Sequence, residues 1–145
     1  MTRVTRRTAL MTMAAALVAR NAFATADQAK EWLAGHHAKG TPKDGKITLK
    51  APEIAENGNA VPLTVSVESE MSEKSYVKAI YIAADGNPNP GVAVFEMTPR
   101  SGKAEVALRL RLQQTEKIVV VAEMNDGALY SASREVKVTI GGCGG

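Results

Sequence analysis

The sequence predicts an all-β domain: an immunoglobulin-like antiparallel β-sandwich of about seven strands with a short N-terminal helix. Seven short apolar segments follow one another from residue 46 onward, and residues typical of turns separate them. No helical pattern lies between these segments, whereas a parallel α/β fold needs helices between its strands. Because the chain has one cysteine, no disulfide can join the two sheets, and buried apolar side chains must hold them together.

The clearest strands have an apolar residue at every second position, which is typical of a strand with one buried face. Segments 61–67, 106–112 and 136–140 alternate valine, leucine or isoleucine with smaller or polar residues. The other predicted strands are 47–49, 76–83, 92–97 and 117–124. The predicted turns are 56–59, 85–90, 99–102 and 126–127.

Two of the predicted strands, 76–83 and 117–124, are apolar on both faces. A strand of this kind needs a second cover in addition to the core. The cover is either the N-terminal helix or a loop, or else a protein partner that docks on the face. The sequence favours neither explanation over the other.

Segment 26–38 is the predicted helix, because its alanine, glutamine, lysine, glutamate and leucine residues favour helix. Ala29, Trp32 and Leu33 form its apolar face, and a glycine and a proline end it. The adjacent His36 and His37 suggest a metal site, but neighbouring helical side chains point about 100° apart and no second ligand cluster follows. We therefore expect two solvated or loosely packed histidines and no bound metal.

Residues 1–24 form a predicted export signal. They comprise a basic start, an alanine-rich apolar run and a small-x-small peptidase site at 22–24. The paired Arg6 and Arg7 resemble a twin-arginine signal, which exports folded proteins, with Ala9 where that pattern usually has phenylalanine. We expect the mature protein in the periplasm.

Signal removal also changes the charge, because it leaves 14 of the 18 basic residues against 15 acidic ones. A nearly neutral body gives no reason to expect nucleic-acid or membrane binding, and no later segment predicts a transmembrane span. Lys103, Arg109 and Arg111 could steer an anion, but charge alternating along a strand is more typical of a solvated face. The predicted organisation is a signal over 1–24, a β-sandwich domain over 25–140 and a flexible arm over 141–145.

The predicted arm carries Cys143, the single cysteine, between glycines at 141, 142, 144 and 145. Glycine is flexible and has no side chain to pack, so Gly141, Gly142, Gly144 and Gly145 would present the thiol in solvent. Five residues span at most about 17 Å. The thiol could therefore enter a partner's cleft while the domain stays in place.

Three roles for this thiol remain open from the residues alone. Cys143 could form an intermolecular disulfide, so that the chain is an exported structural module. It could instead carry a covalent group for separate enzymes, since a flexible tail holds no base or orienting residue for catalysis of its own. The terminal Gly144-Gly145 also matches ubiquitin-like sulfur carriers, which use a terminal thiocarboxylate inside the cytoplasm.

Four stretches of the chain resemble the SoxY family of sulfur carriers, which work in the SoxYZ complex of thiosulfate oxidation. They are 46–62, 85–90, 101–112 and the terminal 138–145. The resemblance implies that Cys143 holds the substrate on a swinging glycine arm, and that the chain is a carrier without a catalytic site or cofactor. It also implies a SoxZ-like partner subunit, a c-type cytochrome, a sulfate-releasing hydrolase, and a molybdenum and haem enzyme that oxidises the sulfane sulfur.

Overall fold

The computed structural model describes residues 24–139, which form two β-sheets packed face to face with one helix on the larger sheet. The predicted signal up to residue 23 and the segment 140–145 lie outside the described residues. Within the described part, no helix is long and apolar enough to cross a membrane.

The structure confirms the β-sandwich and all seven predicted strands. It adds two strands of two residues each, β1 and β3, which the sequence pattern did not indicate. The elements are α1 (Ala26–His36), β1 (Lys43–Asp44), β2 (Ile47–Lys50), β3 (Ile54–Ala55), β4 (Val61–Val67), β5 (Val77–Ala84), β6 (Gly91–Glu96), β7 (Glu105–Leu110), β8 (Glu116–Met124) and β9 (Leu129–Val138).

The larger sheet has the strand order β1-β9-β8-β5-β6, and β3 also pairs with β9. The smaller sheet has the order β2-β4-β7. The pairs within β9-β8-β5-β6 and within the smaller sheet are antiparallel, whereas β1 and β3 run parallel to β9. β1 and β3 lie on the same edge of β9, because the chain leaves this edge after β1, forms β2 in the other sheet, and returns.

The main core lies between the two sheets and contains the inward-facing side chains of β4, β5 and β8. The largest fully buried side chains are Leu63, Ile80, Ile82, Leu112, Ile118, Val61, Val65, Val77, Val120 and Val136. Full burial of such a side chain stabilises the fold by about 1.5–3 kcal/mol. Apolar burial therefore joins the sheets.

Helix α1 covers the outer face of β5 and β8. Thr25 caps its first turn, since Gln28 N–H donates to the Thr25 hydroxyl and Thr25 N–H donates to the Gln28 side chain. Ala29 and Leu33 pack on a second apolar cluster of the sheet, formed by Ala79, Tyr81, Ala83, Val121 and Leu129. Of the two covers that the sequence left open for these strands, the structure places the N-terminal helix there.

The helix ends at His36, two residues before the predicted end, because His37 adopts extended backbone angles. Beyond it, Ala38 N–H donates to the buried carboxylate of Glu123, at 3.1 Å. The same carboxylate accepts from the Tyr81 hydroxyl at 3.0 Å and pairs with Lys78 at 3.1 Å. The segment after α1 is thereby tied to the outer face of the sheet.

These contacts set the ionisation of the cluster. Burial raises the pKa of Glu123, but the hydrogen bonds from Ala38, Lys78 and Tyr81 outweigh it and bring the pKa below its ordinary value of 4.5. Burial and the hydrogen bond to Glu123 raise the pKa of Tyr81 to about 12. At neutral pH the carboxylate is therefore charged and the phenol keeps the proton that it donates.

Candidate functional site at the root of the C-terminal arm

All the predicted site residues lie beyond the described part of the chain. These are Cys143 and the four glycines Gly141, Gly142, Gly144 and Gly145. What the structure describes is the root of the arm, the end of β9 up to Thr139, from which this segment departs. Residues 140–145 continue from this point of the chain.

On one side, β3 and its flanking residues hold the root. Lys137 N–H donates to Glu53 C=O at 2.9 Å, and Thr139 N–H donates to Ala55 C=O at 3.1 Å. The Thr139 hydroxyl donates to Glu56 C=O at 3.2 Å. The last described residue is thus bonded through both its backbone and its side chain.

On the other side, Thr115 holds the root. Pairing between β8 and β9 ends at Glu116 and Val136, so β9 extends past the end of its neighbour. Val138 N–H instead donates to the Thr115 hydroxyl at 3.0 Å. A side chain therefore continues the hydrogen bonding where the backbone ladder stops.

Glu116 braces the segment that contains Thr115. Glu116 as a whole is 4% exposed, and its carboxylate accepts from Gly86 N–H at 2.7 Å and from Gln113 N–H at 3.1 Å. Burial raises the pKa of Glu116 above its ordinary value of 4.5, although both N–H bonds oppose this rise. The carboxylate joins the loop after β5 to the loop before β8.

Gly86 and Asn87 complete this junction. A Cβ at Gly86 would lie 2.7 Å from Cβ of Glu116, so the backbone approaches the carboxylate too closely for any side chain. The Asn87 amide donates to Arg111 C=O at 2.8 Å, and its oxygen accepts from Gln113 N–H at 3.2 Å. The 85–90 segment, which the sequence singled out, therefore supports the end of the sheet that lies next to Thr139, the last described residue.

The two histidines lie on the helix side of the molecule. His36 is exposed and stacks on Trp32 with ring centroids 4.1 Å apart. His37 is half-buried, and its ring centroid lies 6.4 Å from that of Tyr81. Among residues 24–139, no group of three or more histidine, cysteine, aspartate or glutamate side chains is placed to hold a metal ion.

The three basic side chains that could steer an anion are exposed at or near β7, an edge strand of the smaller sheet; they are Lys103, Arg109 and Arg111. This agrees with the preferred interpretation of a solvated face.

Sequence reasoning missed Thr115 and Glu116. Glu116 had a detectable signal, since it stands in phase with Ile118 and Val120, which face the core. A charged residue at an inward position predicts a buried carboxylate with dedicated partners. Thr115 had no such signal, because its role depends on how far β9 extends past β8.

The family model that describes the sulfur oxidation protein SoxY matches residues 31–143 of this chain. A solved structure of the sulfur carrier protein SoxY from Chlorobium limicola f thiosulfatophilum is similar, with 40% sequence identity and a TM-score of 0.67. The match covers 80% of this chain and 100% of that protein. A comparison with curated proteins found no match.

More distant structures share the fold alone. The superoxide reductase (neelaredoxin) from Ignicoccus hospitalis is 20% identical with a TM-score of 0.57, covering 81% of this chain and 95% of that one. A putative superoxide reductase from Thermotoga maritima is 18% identical with a TM-score of 0.55, covering 83% and 98%. The family match spans most of the chain, the SoxY structure agrees with it in both sequence and fold, and the chain therefore belongs to the SoxY family of sulfur oxidation proteins.

Proposed function

We propose that this chain carries thiosulfate-derived intermediates covalently on Cys143 and presents them to separate enzymes of sulfur oxidation. The observation that carries the proposal is the position of Cys143, four residues beyond a root that is hydrogen-bonded on both sides. Four residues span at most about 14 Å. A fixed root with a short glycine-rich segment suits a substrate handle that visits several clefts.

The proposed chemistry begins with loading. The Cys143 thiolate and thiosulfate form a sulfur–sulfur bond, and a c-type cytochrome accepts the two electrons released. A hydrolase then adds water to the terminal sulfonate, which leaves as sulfate. The Cys143 sulfur keeps the sulfane sulfur as a persulfide. A molybdenum and haem enzyme then oxidises the remaining sulfane sulfur and accepts the electrons released. An unassisted thiol has a pKa of about 8.5, so the partner enzymes supply the activation.

The proposed setting is a heterodimer with a SoxZ-like subunit in the periplasm. The family membership supports this partner, and the basic and apolar character of residues 1–24 supports export. A twin-arginine route would export the folded chain with its partner bound.

The test is Cys143→Ser in the full chain with its partner subunit and the three enzymes. We expect thiosulfate-dependent turnover to be lost, while the unfolding temperature and subunit binding stay unchanged. A matched variant, Thr139→Cys with Cys143→Ser, moves the thiol back to the root, and we expect it to react with small reagents but not to support turnover. Retained turnover in Cys143→Ser would contradict the proposal.

Intact-mass spectrometry of the exported protein distinguishes the alternatives. Sulfane or sulfonate adducts confined to the C-terminal peptide support the carrier function. A doubled mass under non-reducing conditions would instead indicate a disulfide-linked structural module, and an adduct on the terminal carboxylate would indicate a ubiquitin-like carrier.

A further inference from the structure

The predicted cleavage site of the export signal lies at the start of the described part of the chain. The small-x-small pattern at 22–24 predicts a cut after Ala24, which makes Thr25 the first residue of the mature protein. Hydrolysis adds water across this peptide bond and leaves a carboxylate on Ala24 and an amino group on Thr25. The contacts of these two residues therefore decide how a peptidase reaches the bond.

Ala24, on the signal side of the bond, is packed into the domain. It is 8% exposed, and its N–H donates to Asn87 C=O at 2.9 Å. Asn87 is itself held in place, because its side chain bonds Arg111 C=O and Gln113 N–H. A peptidase that selects a small residue before the cut encloses that side chain in its own pocket. The Ala24 methyl group cannot enter such a pocket while it is buried in the domain.

Thr25, on the other side of the bond, uses its polar groups in the first turn of α1. Its N–H, which belongs to the bond to be cut, donates to the Gln28 side chain at 2.9 Å. Its hydroxyl accepts from Gln28 N–H at 3.3 Å, and its C=O accepts from Ala29 N–H at 3.0 Å. An extended peptide binds a partner mainly through its backbone groups. The helix cap and a peptidase therefore compete for the same groups of Thr25.

This first turn can open without disturbing the core. Residues 25–28 are exposed, whereas Ala29 is 1% exposed and anchors the next turn on the sheet. Opening up to Gln28 releases one buried side chain, that of Ala24. Segments with few buried contacts open locally at a lower free energy than the whole domain unfolds. When opening and closing are faster than cleavage, a protease cuts at a rate set by the population of the open form.

We propose that the first turn of α1 gates the removal of residues 1–24, so that a signal peptidase hydrolyses the Ala24–Thr25 bond only in molecules in which this turn is open. The inference rests on the export signal of the proposed function. The gate acts on a chain that reaches the peptidase already folded, as a twin-arginine route delivers it. The stability of the helix cap then limits the rate at which the mature chain forms.

The test uses the folded full-length chain with a purified signal peptidase as the probe. Gln28→Ala removes the acceptor of the Thr25 N–H at an exposed position, and the loss of such a cap raises the open population about five-fold. We expect hydrolysis to become about five-fold faster. Hydrogen exchange at the Ala29 amide, which bonds Thr25 C=O when the turn is closed, should accelerate by the same factor. The matched control Gln28→Glu keeps an acceptor and should accelerate neither rate.

A second variant tests whether the first turn alone is the gate. Gly35→Ala stabilises the last turn of α1, because alanine favours helix and nothing lies within 4 Å of its Cβ. We expect the rate of hydrolysis to stay unchanged, since the opening stops at Gln28. Slower hydrolysis in Gly35→Ala would show that the whole helix leaves the sheet before the cut, which would overturn the gate.

Two further results would overturn the gate. One is a difference between the factors by which hydrolysis and Ala29 exchange change in Gln28→Ala, since the peptidase would then respond to the side chain itself. The other is a cut at a different bond, which would overturn the predicted cleavage site as well. Neither result affects the carrier function, because the turnover of Cys143→Ser tests that function separately.

Discussion

The larger sheet buries a carboxylate on each of its two faces, and the two are held in opposite ways. Glu123 lies on the outer face by the helix and contacts a backbone N–H, a phenol and an ammonium group. Glu116 lies on the core side, at the end of the sheet near Thr139, and accepts from two backbone N–H groups. Both residues are 4% exposed, yet the pKa of Glu123 is lowered and that of Glu116 is raised.

This difference shows that the two regions serve separate purposes. At Glu123, side chains and backbone from the helix side and the sheet meet in one cluster, which closes the outer face. At Glu116, the carboxylate fixes only backbone, and it uses no side chain of the surface around the arm. The hydrogen bonds to Glu116 thus fix the backbone of the two loops that flank it.

Breaking the outer cluster should give the largest loss of stability. Glu123→Leu leaves the Tyr81 hydroxyl and Ala38 N–H without their acceptor, so we expect the free energy of unfolding to fall by about 2–4 kcal/mol. Chemical denaturation measures this change. Glu123→Gln is the matched control and should lose less, because it keeps one acceptor. Equal losses in the two variants would show that the acceptor is not what holds the cluster.

A steric clash between residue 86 and Glu116 should lower the stability by a smaller amount. In Gly86→Ala the new Cβ would lie 2.7 Å from Cβ of Glu116, so the loop or the carboxylate must shift, and we expect a loss of about 1–3 kcal/mol. Gly35→Ala in α1 is the control of opposite sign. Nothing lies within 4 Å of its Cβ, and alanine should stabilise the helix by about 0.5–1 kcal/mol. Thermal unfolding compares the two, and a stabilised Gly86→Ala would contradict the close contact.

The sequence predicted the parts of this architecture that depend on local pattern. Alternation identified the strands with one buried face, apolar residues on both faces identified the two central strands, and the composition of 26–38 identified the helix. β1 and β3 were not predicted, because a two-residue strand is too short to show a period. Both form only where the chain passes the edge of β9. Residues 129–135 of β9 were also not predicted, because the serine, alanine and arginine residues at 131–134 give no apolar alternation.

The candidate site also has residues that the sequence reveals and contacts that it does not. Cys143 and its glycines are recognisable from the sequence, because their chemistry is local. The hydrogen bonds that hold Thr139 connect it to Ala55 and Glu56, more than eighty positions away in the sequence. The hydrogen bond from Val138 N–H to the Thr115 hydroxyl likewise depends on the finished fold, so neither set of contacts could be inferred from spacing.

The smallest expected effect is a difference in pH dependence between the two carboxylates. Because the folded-state pKa of Glu123 is lowered, its contribution to stability is present above pH 4.5 and is lost as the pH falls below that value. The folded-state pKa of Glu116 is raised, so the native state binds more protons than the unfolded state just above pH 4.5, and stability rises as the pH falls towards 4.5.

Unfolding free energies of the wild type, Glu123→Gln and Glu116→Gln from pH 7 to pH 3 separate the two contributions. The advantage of the wild type over Glu123→Gln should shrink below pH 4.5, because the wild-type carboxylate then becomes protonated. Its stability relative to Glu116→Gln should instead increase as the pH falls from 7 towards 4.5, because protonation relieves the cost of burying the charge. Slopes of the same sign in both comparisons would show that the two carboxylates are not held in opposite ways, since a lowered and a raised pKa cannot produce the same dependence.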